Sequence, residues 1–125
     1  MENKVGVDPD PKFEDDRLIK KTSDDFFKEN TQKFDIIFID GMHQSDYVLR
    51  DFNNSMESLN EGGIIFMDDV LPANEREQYK IPIKHVYENG ILKYKEPWTG
   101  DVWKFIYYLI KNNKEKLVFE IFTGK

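Results

Sequence analysis

Four residues in this 125-residue chain have types and spacing suited to chemistry on a polar substrate: Asp40, His43, Asp68 and Asp69. Three carboxylates brought together without a counter-charge resist joint ionisation, so at least one pKa must rise or a cation must enter. Carboxylate oxygens are hard ligands that suit magnesium, calcium or manganese, and a magnesium site built from few protein oxygens keeps positions open for substrate oxygens. His43 stands three positions beyond Asp40, and a neutral imidazole in that loop can accept a proton from a substrate hydroxyl. Plainer roles compete with these. An Asp after a strand is commonly a turn former or helix cap, and a lone loop His is commonly a capping or surface residue. Asp69 is the hardest to explain as a cap, because Val70, Leu71 and Pro72 follow it rather than a helix.

Such residues need strand ends to hold them. FDIIFID is a continuous β-branched and aromatic run, which predicts a strand buried on both faces, as in a parallel sheet, ending at Asp40 and Gly41. Val48 or Leu49, Phe52, Met56 and Leu59 recur at helical spacing and predict a helix that closes at Asn60, with Gly62 and Gly63 beyond it. GGIIFMDD then repeats the pattern of an apolar strand closed by acids. Upstream, Lys4 to Val7 predict a brief strand that stops at Asp8 and Pro9, since proline cannot continue a ladder. Leu18 and Ile19 lead into TSDDFF, where Thr22, Ser23 or Asp24 can cap a helix, a contribution of about 1 kcal/mol. Strand and helix alternate with short connections. The expected fold is therefore α/β, a Rossmann-like, doubly wound, mostly parallel sheet. Ligands bind such sheets beyond the carboxyl ends of the strands, where Asp8, Ser23, Asp40, Asp68 and Asp69 all fall.

The stretch at about 71–99 is polar and irregular, with Pro72, Pro82 and Pro97, and predicts an insertion over the sheet edge. Within it HVYENGILKY predicts a hairpin about Asn89-Gly90. Asp101 is expected to cap a last helix carrying Val102, Trp103, Phe105, Ile106, Leu109 and Ile110, with KLVFEIF a further strand. Trp98 and Trp103 flank Gly100-Asp101, either as a substrate wall or, more plainly, as packing between helix and insertion; His85 has no assigned role. Composition narrows the partners. A net charge of −6 without long single-sign blocks disfavours nucleic acid. No apolar run approaches the roughly 20 residues that span a bilayer, and no signal peptide opens the chain, so no membrane partner and a cytoplasmic location are expected. The absence of cysteine excludes disulfides, zinc thiolate sites and thiol catalysis.

At FDIIFIDGMHQSDYVLRDFNNSMESLNEGGIIFMDDVLP the chain resembles the class I methyltransferases that use S-adenosylmethionine. It is most similar to the small-molecule type, whose signature runs strand, IDG-x-H, helix with RD, L-x-x-GG, strand, DD. VGVDP resembles the second strand of that family, TSDDFF the third, and PWTGDVWK the helix after the insertion. The resemblance implies that Asp8 binds the cofactor's ribose hydroxyls, that Ser23 and Asp24 lie beside its adenine, and that Asp40 also borders it. It implies that Asp40, Asp68 and Asp69 hold Mg2+ as in catechol-type O-methyltransferases, whose third ligand is commonly Asn. His43 takes the place of their catalytic Lys, leaving a base of different pKa. The implied reaction is methyl transfer to oxygen of a small hydroxylated molecule or sugar.

The resemblance further implies a partial domain over residues 1–125, incomplete at the N-terminus. The family's first strand, its glycine-rich turn and its final antiparallel strand are expected to be missing, which leaves an unpaired sheet edge. Such an edge suits a homo-oligomer, or a non-catalytic fragment completed by a separate piece. A phospho-receiver domain is the remaining alternative, from FDIIFID with an acid pair. Chain order opposes it, because a receiver places that pair on the first strand, before the phosphorylated Asp.

Overall fold

Gly6 and Val7 pair with Leu18 and Ile19 in parallel, forming strands β1 (Gly6–Val7) and β2 (Leu18–Ile19). The computed structural model describes residues 3–82, 85–95, 97–112 and 117–122. The chain divides into two compact units, one made of Met1–Ile37 with Arg50–Phe66 and the other of Phe38–Leu49 with Met67–Lys125. Strand β3 (Phe34–Ile39), helix α2 (Ser45–Ser58) and strand β4 (Leu59–Met67) each contribute to both, and β3 pairs with β4. Mixed strands and helices with parallel pairing make this a partial Rossmann-like α/β fold.

In the first unit, helix α1 (Ser23–Glu29) begins where Thr22 Oγ1 accepts the N–H of Asp25 at 3.1 Å, while the Thr22 hydroxyl donates to Asp25 Oδ2 at 2.9 Å. This exchange satisfies an otherwise orphan helix donor. Phe26 packs on Phe27 and Phe34, with ring centroids 5.3 and 6.4 Å away. The part of α2 in this unit buries a polar stripe, Asp51, Ser55 and Ser58. Ser58 Oγ accepts from Asn30 Nδ2 at 3.2 Å.

The second unit contains strands β5 (His85–Glu88) and β6 (Ile91–Lys95) and helix α3 (Trp103–Asn112). Its buried apolar side chains are Ile39, Val48, Val102 and Phe105. The strands β5 and β6 form the expected antiparallel hairpin, with Asn89 at φ 50° and Gly90 at φ 76°. Two positive φ angles in a two-residue loop are what a right-twisted hairpin requires.

Four expectations need correction. β3 and β4 are not covered on both faces: Ile36, Phe38, Ile64 and Phe66 are exposed, because among the described residues the pair stands as a two-stranded sheet with no layer over those side chains. Helix α2 ends at Ser58 and not at Asn60, and Leu59 and Asn60 already open β4, in which Gly62 has φ 76°. Residues 117–122, the described part of the KLVFEIF run, form no strand. The Asp101 carboxylate caps no backbone N–H of α3 and reaches that helix only through the Lys104 side chain. Its Oδ1 accepts the N–H of Ser45, the first residue of α2, at 2.8 Å, and its Oδ2 meets Lys104 Nζ at 3.1 Å.

Asp101 is therefore a buried cap supplied to α2 from a distant part of the chain, where a carboxylate also favours the positive end of the helix dipole. Replacing Asp101 by Ala should lower unfolding stability by about 1–3 kcal/mol, with Asn restoring most of it, as read by urea denaturation. Equal stability of all three proteins would contradict this capping role.

Candidate active site

Asp40 follows the last residue of β3, His43 lies in the turn before α2, and Asp68 and Asp69 follow the last residue of β4. All four belong to the second unit. His43 Nε2 is 2.8 Å from Asp69 Oδ2 and 3.8 Å from Asp40 Oδ1. One ligand atom from each of Asp40, His43 and Asp69 lies within 4.8 Å of the others. Asp68 behaves differently: its Oδ1 accepts the backbone N–H of Asp69 at 2.8 Å. Asp69 itself adopts φ 56°, a left-handed conformation that Asp and Asn tolerate better than other side-chain-bearing residues.

The turn formed by residues 98–101 fixes His43. The Trp98 carbonyl oxygen lies 2.8 Å from His43 Nδ1, and the two rings lie 5.3 Å apart at 33°. Gly100 has φ 66°, and a Cβ built on it would fall inside the His43 carbonyl oxygen. Only glycine permits that approach together with that φ.

This turn is in turn tied to the segment before the hairpin, where four successive carbonyls receive side-chain donors. Thr99 Oγ1 donates to Glu77 O at 3.2 Å, Trp103 Nε1 to Gln78 O at 3.1 Å, Trp98 Nε1 to Tyr79 O at 2.6 Å, and Gln44 Nε2 to Lys80 O at 3.4 Å. Irregular backbone has no ladder to satisfy its carbonyls, so side chains supply the donors. Both tryptophans thus anchor to the segment before the hairpin through their indole N–H groups. Buried Glu77 closes the start of the segment by accepting from Ala73 N and Asn74 Nδ2, each at 2.9 Å.

The electrostatics follow from this geometry. A carbonyl oxygen only accepts, so Nδ1 of His43 must carry a hydrogen. Nε2 then faces a carboxylate at a distance where two lone pairs would repel, and one proton or one cation belongs between His43 and Asp69. Burial pushes the Asp69 carboxyl above its usual range; His43 opposes that rise, while Asp68, Asp40 and Glu77 reinforce it. Ile39, Val48, Met67 and Val102 provide an apolar wall to the small pocket that Asp40, His43 and Asp69 line. The arrangement can bind a cation or take up a proton beside an apolar surface.

The other expected binding residues lie in the first unit. Asp8 directly follows β1, where its backbone N–H donates to Ile19 O at 3.1 Å and its Oδ1 accepts from Asp10 N at 2.7 Å. Asp24 pairs with Arg50 at 2.9 Å. Ser23 hydrogen-bonds the buried Asp51.

A family model described as a methyltransferase domain matches residues 7–70, just over half of the chain. The chain belongs to the methyltransferase domain family. The class I resemblance drawn from the IDG-x-H and DD motifs agrees with this match. No curated protein and no solved structure matches the chain. Among the described residues no helix is long and apolar enough to cross a membrane. The matched methyltransferase segment contains Asp8, Ser23, Asp24, Asp40, His43, Asp68 and Asp69, and ends before the turn that holds His43. Sequence reasoning missed the part played by Trp98, Gly100 and the Asp101 carboxylate. The Gly100-Asp101 pair signalled a turn, but contacts 55 and 56 positions apart leave no local pattern.

Asp51 offers a test of the first unit. Burial raises its carboxyl pKa, the Ser23 hydrogen bond and Arg50 oppose the rise, and Asp24 adds to it. An acid with a raised folded pKa stabilises the native state below its unfolded value, and this contribution is lost as pH climbs through the folded value. Asp51→Asn should therefore match wild type below about pH 3.9 and become the more stable protein toward neutrality. Thermal unfolding across that range would show it; a gap that shrinks as pH rises would contradict the sign.

Proposed function

We propose that the chain carries the acceptor and proton-handling part of an S-adenosylmethionine-dependent O-methyltransferase for a small hydroxylated molecule or sugar. One observation supports this above the others. In a member of the methyltransferase domain family, His43 Nε2, Asp69 and Asp40 meet just beyond the carboxyl ends of two paired strands.

On this reading the acceptor's hydroxyl proton passes to the His43–Asp69 pair, in which Nε2 and Oδ2 stand 2.8 Å apart and share one proton, while Nδ1 keeps its hydrogen on the Trp98 carbonyl. Asp69 stabilises the charge that the imidazole gains. The apolar wall of Val48, Met67 and Val102 excludes water from the acceptor. The donor set of two carboxylate oxygens and one imidazole nitrogen also fits a divalent cation, with Asp40 and Asp69 as its holders and Asp68 adjacent. A bound Mg2+ or Mn2+ would polarise the acceptor oxygen and lower its pKa. Asp8 suits the ribose of S-adenosylmethionine, being an exposed carboxylate directly after a strand, with Ser23 and Asp24 nearby in the same unit for the adenine. That cofactor would supply the electrophilic methyl group.

The exposed apolar side chains of β3 and β4 favour a second reading, in which another copy or a separate chain covers them and completes the enzyme. Light scattering separates the two: a stable, lone monomer counts against completion by a partner.

Methyl transfer is tested with radiolabelled S-adenosylmethionine and a panel of catechols and sugars, with and without Mg2+ or Mn2+. The cofactor should raise the melting temperature, and His43→Gln should slow transfer by about 10²–10⁴-fold without abolishing that shift. No shift at millimolar S-adenosylmethionine or its demethylated product, with or without metal, would overturn cofactor binding by this chain.

A further inference from the structure

We propose that Asn89 is a site of spontaneous covalent modification, at which the Asn89-Gly90 pair passes through a cyclic imide and hydrolyses to aspartate and isoaspartate. Water is the co-reactant, and the proposal stands apart from the methyltransferase reading.

The chemistry begins with the backbone nitrogen of Gly90 attacking Cγ, the side-chain amide carbon of Asn89. A bond forms between that nitrogen and Cγ, the bond from Cγ to Nδ2 breaks, and the proton of the attacking nitrogen leaves with Nδ2 as ammonia. Water then opens the imide ring at one of its two carbonyls. Hydrolysis at Cγ gives aspartate. Hydrolysis at the main-chain carbonyl leaves Gly90 bonded to Cγ and gives isoaspartate. Either product carries a negative charge where Asn89 had none.

Sequence and fold together select this asparagine. Asn89 is the one asparagine followed by glycine, and a residue without a Cβ leaves its backbone nitrogen least shielded. Both residues are exposed, and a Cβ built on Gly90 would meet nothing within 4 Å. They form the two-residue loop of the hairpin, at φ 50° and 76°, with Glu88 and Ile91 paired across it. The hydrogen bond that closes such a turn uses the N–H of the residue after the loop, so the Gly90 nitrogen is not bound into the ladder. Other asparagines are placed differently. Asn54 also precedes a small residue, Ser55, but both lie inside α2, where backbone N–H groups serve the helix and Ser55 is fully buried. The side-chain amides of Asn30, Asn60 and Asn74 are held by Ser58, Asp35 and Glu77.

The turn opposes the reaction, because the Gly90 nitrogen must swing toward Cγ and the ladder resists that rotation. Its resistance is small. Among the described residues β5 and β6 form a sheet of two strands, with a register shift between Val86 and Tyr87, and a two-stranded hairpin by itself is marginally stable. Local opening of the tip admits the reactive geometry. Isoaspartate lengthens the main chain by one carbon, so a tight two-residue turn does not re-form on it.

The test incubates the full chain at mildly alkaline pH, both native and unfolded in guanidinium chloride, and follows each asparagine by peptide mapping and mass spectrometry. The native protein should lose Asn89 to isoaspartate and aspartate, isoaspartate in excess, while Asn54 stays intact. The unfolded chain should lose Asn89 faster. Gly90→Ala should slow that loss in guanidinium chloride as well, where the turn is absent and the folding of the variant does not enter. Survival of Asn89 in the native chain after the unfolded chain has converted it would overturn the proposal. So would equal loss of Asn54 in the native chain, aspartate without isoaspartate, or equal rates for wild type and Gly90→Ala in guanidinium chloride. No cofactor, metal or acceptor enters the measurement, so its outcome is independent of methyl transfer.

Discussion

The seating of Gly100 on the backbone of His43 is the contact on which the rest of the site depends. A side chain at position 100 would collide with the His43 carbonyl oxygen, and the backbone there runs at a φ of 66°. With that approach made, the Trp98 carbonyl reaches Nδ1 and the Asp101 carboxylate reaches the first N–H of α2. The loop carrying His43 is thus held at its backbone, at its ring and at the helix that follows. Dispersion and hydrogen bonds of about 1 kcal/mol each become a rigid mount because they act on so few residues.

Rigidity matters here because the site holds unfavourable charge. Asp40, Asp68 and Asp69 crowd one corner, and Asp69 is partly withdrawn from water in a left-handed conformation. Among the described residues the ion-pair partner of both Asp40 and Asp69 is the His43 imidazole, and not an Arg or Lys. A fixed positive charge would occupy the position that a proton or metal ion can fill and vacate. An imidazole between carboxylates leaves that position variable, which suits acid–base work in a member of a methyltransferase family.

Much of this was legible in the sequence, for reasons particular to each element. Apolar runs closed by acids marked β3 and β4 because strand ends need a polar stop, and Thr22 marked the start of α1 because helix donors need an acceptor. Asn89-Gly90 marked its hairpin through the φ angles the turn demands. Asp40, His43 and Asp69 could be singled out from type and position, and the structure brings those three together. What could not be read was tertiary. Asp101 has the local pattern of a cap for α3 and instead serves α2, since the choice between two helix ends depends on folding across more than fifty residues. The exposure of Ile36 and Phe38 was equally hidden, because an apolar run records what a strand can bury and not what covers it.

The stability of Gly100→Ala tests the central mount most directly. A glycine replaced at positive φ costs about 1 kcal/mol from backbone conformation alone. Forcing a Cβ against the His43 carbonyl adds the cost of an overpacked contact, about 1–3 kcal/mol. Equilibrium urea denaturation should therefore show a loss above about 2 kcal/mol, the sum of these two effects. A loss of no more than about 1 kcal/mol, the conformational share by itself, would mean that residue 100 does not rest on His43, and the structural basis for a held imidazole would fall with it.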